Sequence, residues 1–184
     1  TICYNTIPTN GLSSSPPTGG DGIYTYQWEK AEGVDLWAPI AGAVNLTYLE
    51  VDPLLATTRY RLEQTSGSGC GIEYTNDVIV TVTDPIWAEI AANMDTVCIN
   101  EEVEFLGFSG GFANPTTWDW DFGDGTTGTG PTPPAFIHSY AVAGNYEVIL
   151  AVTDNVVGCI AIDTVVIHVV NPPLVDFTYI VDSC

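Results

Sequence analysis

Strand-like segments recur along the whole chain and leave little room for any other kind of structure. They are rich in Val, Ile, Thr and Tyr, and their apolar and polar residues largely alternate, which is typical of half-buried β-strands. Clusters of Gly, Pro, Asn and Asp separate them, and no stretch has a helical period with capping residues. The clearest segments begin at Ile23, Thr58, Asn76, Glu102, Asn145 and Asp163. The sequence therefore predicts an all-β chain of antiparallel β-sandwiches.

Two proline-marked boundaries divide the chain into modules. At 184 residues the chain has the length of two small domains. Asp84-Pro85 closes the strand-rich first half, and Asn171-Pro172-Pro173 closes the second. The segments that begin at the two boundaries repeat the same order of residue types: PIWAEIAANMDTVC at the first and PPLVDFTYIVDSC at the second. We therefore expect one module in residues 1–84, a second in 85–171, and a linker with the first strand of a third module in 172–184.

A large excess of acidic residues narrows the range of partners. The chain holds 23 acidic residues and 3 basic ones, a formal net charge of -20. Such a surface repels phosphate backbones and anionic membranes, so nucleic-acid binding is excluded. No run of about 18 apolar residues is present, which argues against direct membrane insertion. The charge keeps copies of the chain in solution, and it also attracts divalent cations.

The cysteines indicate an oxidising compartment. Cys3, Cys70, Cys98 and Cys159 fall as one pair in each half, without the paired CxxC spacing of a zinc site. The sequence predicts the disulfides Cys3–Cys70 and Cys98–Cys159, each joining the beginning of a module to the turn before its last strand. Cys184 matches Cys98 in the repeat, so we expect its partner outside this chain. Disulfides of this kind place the protein outside the cell.

Residues 86–171 carry the motifs of a known family. WDWDFGDG begins at Trp118, IHSY at Ile137 and GNYEVILAVTD at Gly144. This half resembles a polycystic kidney disease (PKD) repeat, an immunoglobulin-like sandwich. The alternation in WDWDF directs Trp120 and Phe122 into the core, while Gly123 and Gly125 permit the tight turn that follows.

The first half, residues 1–85, resembles the immunoglobulin-like modules that accompany PKD repeats in large secreted bacterial cell-surface proteins of the gliding and adhesin types. Trp28 in YTYQWE matches the core tryptophan, and Tyr60 in LLATTRYRLEQ matches a tyrosine corner. The resemblance implies a structural or adhesive segment of a stalk or filament on the bacterial surface. Its partners would be neighbouring modules or subunits of the same array, with a surface polysaccharide as a further candidate.

Candidate ligand-binding residues have both a functional and a structural interpretation. Close-spaced carboxylates at Asp119, Asp121 and Asp124 offer the hard oxygen ligands that calcium requires, but Asp side chains equally cap turns. Trp28 and Trp120 are explained as core residues. The pattern constrains the other tryptophans less, and a sugar-stacking surface is the functional interpretation for Trp37, Trp87 and Trp118.

The tripeptide Asp-Thr-Val occurs twice and suggests glycosylation. The bacterial proteins that this chain resembles are often O-glycosylated at Asp, then Thr or Ser, then an apolar residue. This motif would place sugars on Thr96 and Thr164, although a short tripeptide also arises by chance in strands.

The sequence gives little support for catalysis, and both histidines have structural explanations. His138 fills the HxY position of the PKD pattern, and His168 lies within an alternating apolar strand. HExxH and Walker A motifs are missing from the sequence. We therefore expect no enzyme. Two alternatives remain beside the structural segment: an accessory carbohydrate-binding module of a secreted hydrolase, and a filament subunit that polymerises by donating the strand VDFTYIV.

Overall fold

The computed structural model describes residues 1–19, 21–67, 71–111, 117–130 and 135–178. These residues form β-strands and no helix, which confirms the prediction of an all-β chain. Accordingly, the described part of the chain holds no helix that could span a membrane.

Two compact units divide the chain, and the division does not follow the sequence strictly. The first unit contains Thr1–Ile86 together with Gly111 and the turn segment Asn155–Cys159. The second begins with Trp87–Gly110 and continues through the described residues up to Asp154 and from Ile160 onward. A sequential split would have assigned residues 155–159 to the second unit.

The first unit is built on an antiparallel sheet of long and short strands. Its core contains Trp28, Ala43, Tyr60 and Leu62. Trp28 lies on β2 (Tyr24–Glu32), and Tyr60 and Leu62 lie on β5 (Thr58–Ser66), where they alternate with more exposed neighbours. Strands β3, β2, β5 and β6 lie side by side in that order, β7 also pairs with β5, and β1 pairs with β4. The strands are β1 Leu12–Ser13, β2 Tyr24–Glu32, β3 Ala38–Pro39, β4 Thr47–Tyr48, β5 Thr58–Ser66, β6 Ile72–Tyr74 and β7 Val78–Val80.

The described residues of the second unit form two sheets. Eight strands contribute to them: β8 Trp87–Ala92, β9 Thr96–Cys98, β10 Glu102–Gly110, β11 Thr117–Asp121, β12 Thr127–Gly130, β13 Ala135–Ser139, β14 Gly144–Asp154 and β15 Cys159–Val170. One sheet has the order β13-β10-β8, and the other has the order β12-β11-β14-β15-β9, in which β9 runs parallel to β15.

Strict alternation fills the core between these two sheets. Phe105 on β10 and Leu150 on β14 are fully buried, while their sequence neighbours face outward. Burial of such side chains contributes about 2 kcal/mol each by area. The sandwich predicted for this half is therefore present.

The predicted first strand of a third module is not seen. From Asn171 to Thr178 the described chain forms no strand, and the remainder of that prediction, including Cys184, lies outside the described residues.

Candidate functional site

The residues of the PKD-like motifs come together in one aromatic cluster. Phe122 stacks on His138 with ring centroids 4.4 Å apart, and His138 meets Tyr140 edge-on at 4.7 Å. Tyr140 in turn stacks on Tyr146 at 4.2 Å. The buried Tyr140 hydroxyl donates a hydrogen bond to the Phe122 carbonyl oxygen at 3.1 Å. Three motifs that are separate in sequence therefore form a single packed unit.

The acidic residues of WDWDFGDG cap this cluster and its turn. Asp121 accepts a hydrogen bond from the Gly123 amide at 2.9 Å. Asp124 accepts bonds from the Thr126 amide and hydroxyl, and its other oxygen lies 2.8 Å from His138 Nε2. Burial alone would raise the pKa of Asp124, but the bonds from Thr126 and His138 outweigh that effect and lower it.

Glycine is required at the centre of this turn. Gly123 has a φ of 80°, and a Cβ there would lie 2.7 Å from the Glu147 carbonyl oxygen. The tight turn predicted from the sequence therefore depends on a missing side chain.

The calcium site predicted at Asp119, Asp121 and Asp124 fails on geometry. Asp119 on β11 accepts a hydrogen bond from the Thr129 hydroxyl at 2.7 Å, across the strand pair rather than toward the turn. Among the residues that the structure describes, no three acidic, histidine or cysteine side chains are grouped so that they could hold a metal ion. Turn capping accounts for Asp121 and Asp124, and the cross-strand bond accounts for Asp119.

The three tryptophans predicted to bind sugar differ in how much of each side chain is accessible. Trp118 is only 3% exposed and belongs to the core, so that prediction is wrong. Trp37 carries the guanidinium groups of Arg61 and Arg59 at 4.3 and 5.1 Å from its ring centroid, which covers its face. Trp87 is 49% exposed.

Trp87 lies on the outward face of β8, opposite Gly110 on β10. A Cβ on Gly110 would lie 2.5 Å from the indole nitrogen, so the ring rests directly over the glycine backbone. The glycine backbone therefore covers part of the indole, and about half of the side chain stays exposed.

The disulfide pairing differs from both predicted bridges. Cys3 is bonded to Cys159, with their Cα atoms 5.6 Å apart. Cys159 begins β15 in the turn segment that belongs to the first unit, which places it beside Cys3. Cys98 is a free, partly buried thiol, so the Cys3–Cys70 and Cys98–Cys159 pairings are wrong. Cys70 itself lies outside the described residues.

Comparison with known families decides what the second half is. Residues 82–169 match the family model described as PKD domain, and they include the whole aromatic cluster and the capped turn. This module is a PKD domain. Residues 1–84, before the PKD domain, match a family model described as a domain of unknown function, DUF8696. A search of curated proteins found no match to this sequence.

Several solved structures are similar to the chain that contains this PKD domain. The fibronectin(III)-like modules of Clostridium thermocellum CbhA share 13% identity, cover 97% of this chain and 93% of theirs, and have a TM-score of 0.40. The amphioxus IgVJ-C2 molecule has 12% identity, 91% and 99% coverage and a TM-score of 0.36. The N-terminal four Ig domains of Dscam1 isoform 8.4 have 16% identity, 91% and 43% coverage and a TM-score of 0.40.

Both predicted glycosylation threonines lie on exposed positions of strands. Thr96 is on β9 and Thr164 is on β15 of the PKD domain. The residue before Thr164, Asp163, accepts a hydrogen bond from the Ile90 amide at 2.8 Å. Glycosylation of the two threonines stays a prediction.

Outside the PKD domain, a buried carboxylate that the sequence analysis missed organises the first unit. Glu50 is 5% exposed and accepts hydrogen bonds from the Tyr60 hydroxyl at 2.9 Å and the Lys30 ammonium at 3.1 Å. Burial alone would raise its pKa, but these bonds and one from the Asp52 amide outweigh that effect and lower it. Tyr60, which was predicted to form a tyrosine corner, thus bonds to the Glu50 side chain and not to the backbone. The sequence signal that could have identified this contact is the glutamate ten residues before Tyr60.

Acid should therefore weaken the first unit through Glu50. A carboxylate whose folded pKa lies below its ordinary value stabilises the fold above that value, and the contribution disappears as pH falls through the folded pKa. We expect Glu50→Gln to cost about 2 kcal/mol at neutral pH, because the Lys30 ammonium loses its anionic partner.

Urea unfolding between pH 7 and pH 3 measures this effect. Glu50→Gln should also flatten the loss of stability below about pH 4.5, whereas Glu102→Gln, at an exposed position, should leave the profile unchanged. A Glu50→Gln profile as steep as that of the parent would contradict the assignment.

Proposed function

We propose that this chain is a non-catalytic structural segment of an extracellular, multi-module protein on a bacterial surface, where it extends the reach of an adhesive part. The observation that carries the proposal is the Cys3–Cys159 bond, which joins a residue of the DUF8696 match to a residue of the PKD domain. A covalent bond between residues so far apart in sequence favours a segment that keeps its fold in an oxidising exterior.

The use of the polar residues supports a structural role. His138 is engaged by Asp124, and His168 Nδ1 lies 2.8 Å from Asn145 Oδ1. Both histidines are therefore bound to groups that orient them within the sandwich. PKD and immunoglobulin-like domains are typically non-catalytic modules.

Charge supports a segment whose partners are neighbouring modules of the same protein. With a net charge of -20, copies of the chain repel one another within roughly 8 Å at physiological ionic strength. Lateral association is therefore disfavoured, and separate arrays would stay apart.

Trp87 favours a second candidate function, the binding of a surface polysaccharide. Its half-exposed indole has Phe108, 47% exposed, as a diagonal neighbour on the same side of the β8–β10 pair. Glu89 lies directly opposite Phe108. Aromatic rings beside a carboxylate are a suitable surface for stacking and hydrogen bonding a sugar.

A replacement experiment in the natural protein separates the two functions. Residues 1–184 are exchanged for an unrelated pair of disulfide-bonded sandwiches of similar length, and adhesion of intact cells is measured. We expect adhesion to be retained, since the segment supplies reach, and an in-frame deletion of the same residues to reduce it. Trp87→Ala should leave adhesion unchanged.

Failure of the replacement to restore adhesion would contradict the structural proposal. If Trp87→Ala alone then lowered adhesion and retention on polysaccharide columns, while Trp37→Ala did not, the sugar-binding candidate would replace it. Trp37 is the matched control because its ring face is already covered by arginine.

A further inference from the structure

Cys3 and Cys98 occupy the same backbone setting in the two halves of the chain. Ile2, before Cys3, forms a parallel bridge with Val82. Val97, before Cys98, is paired in parallel with Val169. Each cysteine therefore follows a residue that runs parallel to the last strand segment of its own half.

The residues after the two cysteines extend this equivalence. Asn5 and Asn100 both stand two residues beyond the cysteine, and among the described residues they alone combine a positive φ, 58° and 62°, with a side chain. Their amides donate to carbonyl oxygens at equivalent places, Leu54 at 2.9 Å and Tyr140 at 2.8 Å. Leu54 and Tyr140 each lie six residues before the tyrosines at 60 and 146. The sequence signature is Thr-Ile-Cys-Tyr-Asn in one half and Thr-Val-Cys-Ile-Asn in the other.

The two cysteines differ in oxidation state although their backbone positions are equivalent. Cys3 is oxidised, and its partner, Cys159, follows Gly158 at the tip of a hairpin between β14 and β15. Cys98 is a free thiol and is partly exposed, as Cys3 is. A position that carries a bonded cysteine in one copy of a repeat thus carries an unbonded one in the other.

We infer that Cys98 is a disulfide attachment point for the hairpin cysteine of another β-sandwich module, in the same way that Cys3 receives Cys159. The partner is a cysteine that follows glycine at a hairpin tip. Such a cysteine comes from a later module of the same polypeptide or from a second copy of this chain. This inference rests on the proposed role as a segment of a multi-module protein.

Thiol–disulfide exchange with an extracellular disulfide donor would form the bond. The Cys98 thiolate attacks one sulfur of the donor disulfide and displaces the other, which gives a mixed disulfide. The partner's thiolate then attacks the Cys98 sulfur, and the donor leaves as a dithiol that carries the two protons from the cysteines. One sulfur–sulfur bond forms, and the donor's bond is broken.

Counting free thiols in the natural, full-length protein tests the inference. If Cys98 is bonded, Cys98→Ser releases the partner's thiol, and the number of thiols titrated in denaturant rises by one. If Cys98 is free, the same substitution lowers the number by one, and this result overturns the inference. Alkylation followed by pepsin digestion at acid pH, which suppresses exchange, should yield a Cys98 peptide joined to a Gly-Cys peptide.

Two further measurements identify the partner and separate a failure of this inference from a failure of the proposed function. For a partner on a second polypeptide, Cys98→Ser converts covalent multimers to monomers on a non-reducing gel, whereas for one in the same polypeptide the size is unchanged. Cys3→Ser should raise the thiol count by one independently of Cys98. A missing Cys3–Cys159 peptide would count against the proposed function, whereas an alkylated Cys98 beside an intact Cys3–Cys159 peptide would overturn the inference alone.

Discussion

Cys3→Ser should lower the free energy of unfolding by roughly 5 kcal/mol, because the bond that it removes closes a loop of 156 residues. In the chain-entropy description, a cross-link stabilises the fold by restricting the unfolded chain, and the effect grows with the logarithm of the loop length. Few single changes in a chain of this size should cost more. Urea unfolding monitored by circular dichroism, under non-reducing conditions, measures the difference.

Three companion variants show whether the effect belongs to this disulfide. Cys159→Ser should cost as much as Cys3→Ser, and the double variant should cost no more than either, since both substitutions remove the same bond. Cys98→Ser should leave the stability of the monomeric chain unchanged. A Cys98→Ser variant as destabilised as Cys159→Ser, together with a double variant that loses more than either single one, would restore the pairing predicted from the sequence.

Trp120→Ala should destabilise the PKD domain by about 4 kcal/mol. The indole is 2% exposed and has Phe105, Phe122 and Phe136 around it at centroid distances of 6.2, 6.2 and 5.7 Å. Its removal leaves a cavity between two sheets whose strands cannot collapse onto it without breaking their ladders. Urea unfolding followed by circular dichroism gives the loss.

Trp87→Ala is the matched control for this prediction, because it removes the same side chain from a half-exposed position and should cost less than about 1 kcal/mol. The loss of stability for Trp120→Phe should fall between the losses for Trp120→Ala and Trp87→Ala. The Trp120 indole nitrogen is buried and has no hydrogen-bond partner among the residues that the structure describes, so phenylalanine gives up volume but also removes an unsatisfied donor. Equal losses for Trp120→Ala and Trp87→Ala would contradict the core assignment.

The core of the PKD domain could be predicted from the sequence because it depends on a local rule. Alternation in a strand sends every second side chain to the same face, so Trp120 and Phe122 were correctly placed in the core. The same rule applies to Trp118, two residues earlier. Its assignment to an exposed sugar surface was wrong because it neglected the period of its own strand.

The disulfide could not be predicted in the same way, because it depends on where a turn lies in three dimensions. Pairing within each half assumed that the turn at residues 155–159 belongs with its own sandwich, whereas it groups with the first unit. The sequence does carry a partial signal, the shared motif around Cys3 and Cys98. That motif identifies equivalent positions but not their partners. Glu50 was missed for a similar reason, since Lys30 and Tyr60 approach it only in the folded unit.

The Cys3–Cys159 bond also determines which part of the polypeptide bears tension. When the chain is pulled from its two ends, the load passes from residue 3 to residue 159 through the sulfur atoms, and the backbone between them is bypassed. Roughly 550 Å of contour length, at about 3.5 Å per residue, is thereby withheld from stretching until the bond is reduced. Under oxidising conditions such a segment would behave as a nearly inextensible link, and a reductant would convert it into an extensible one.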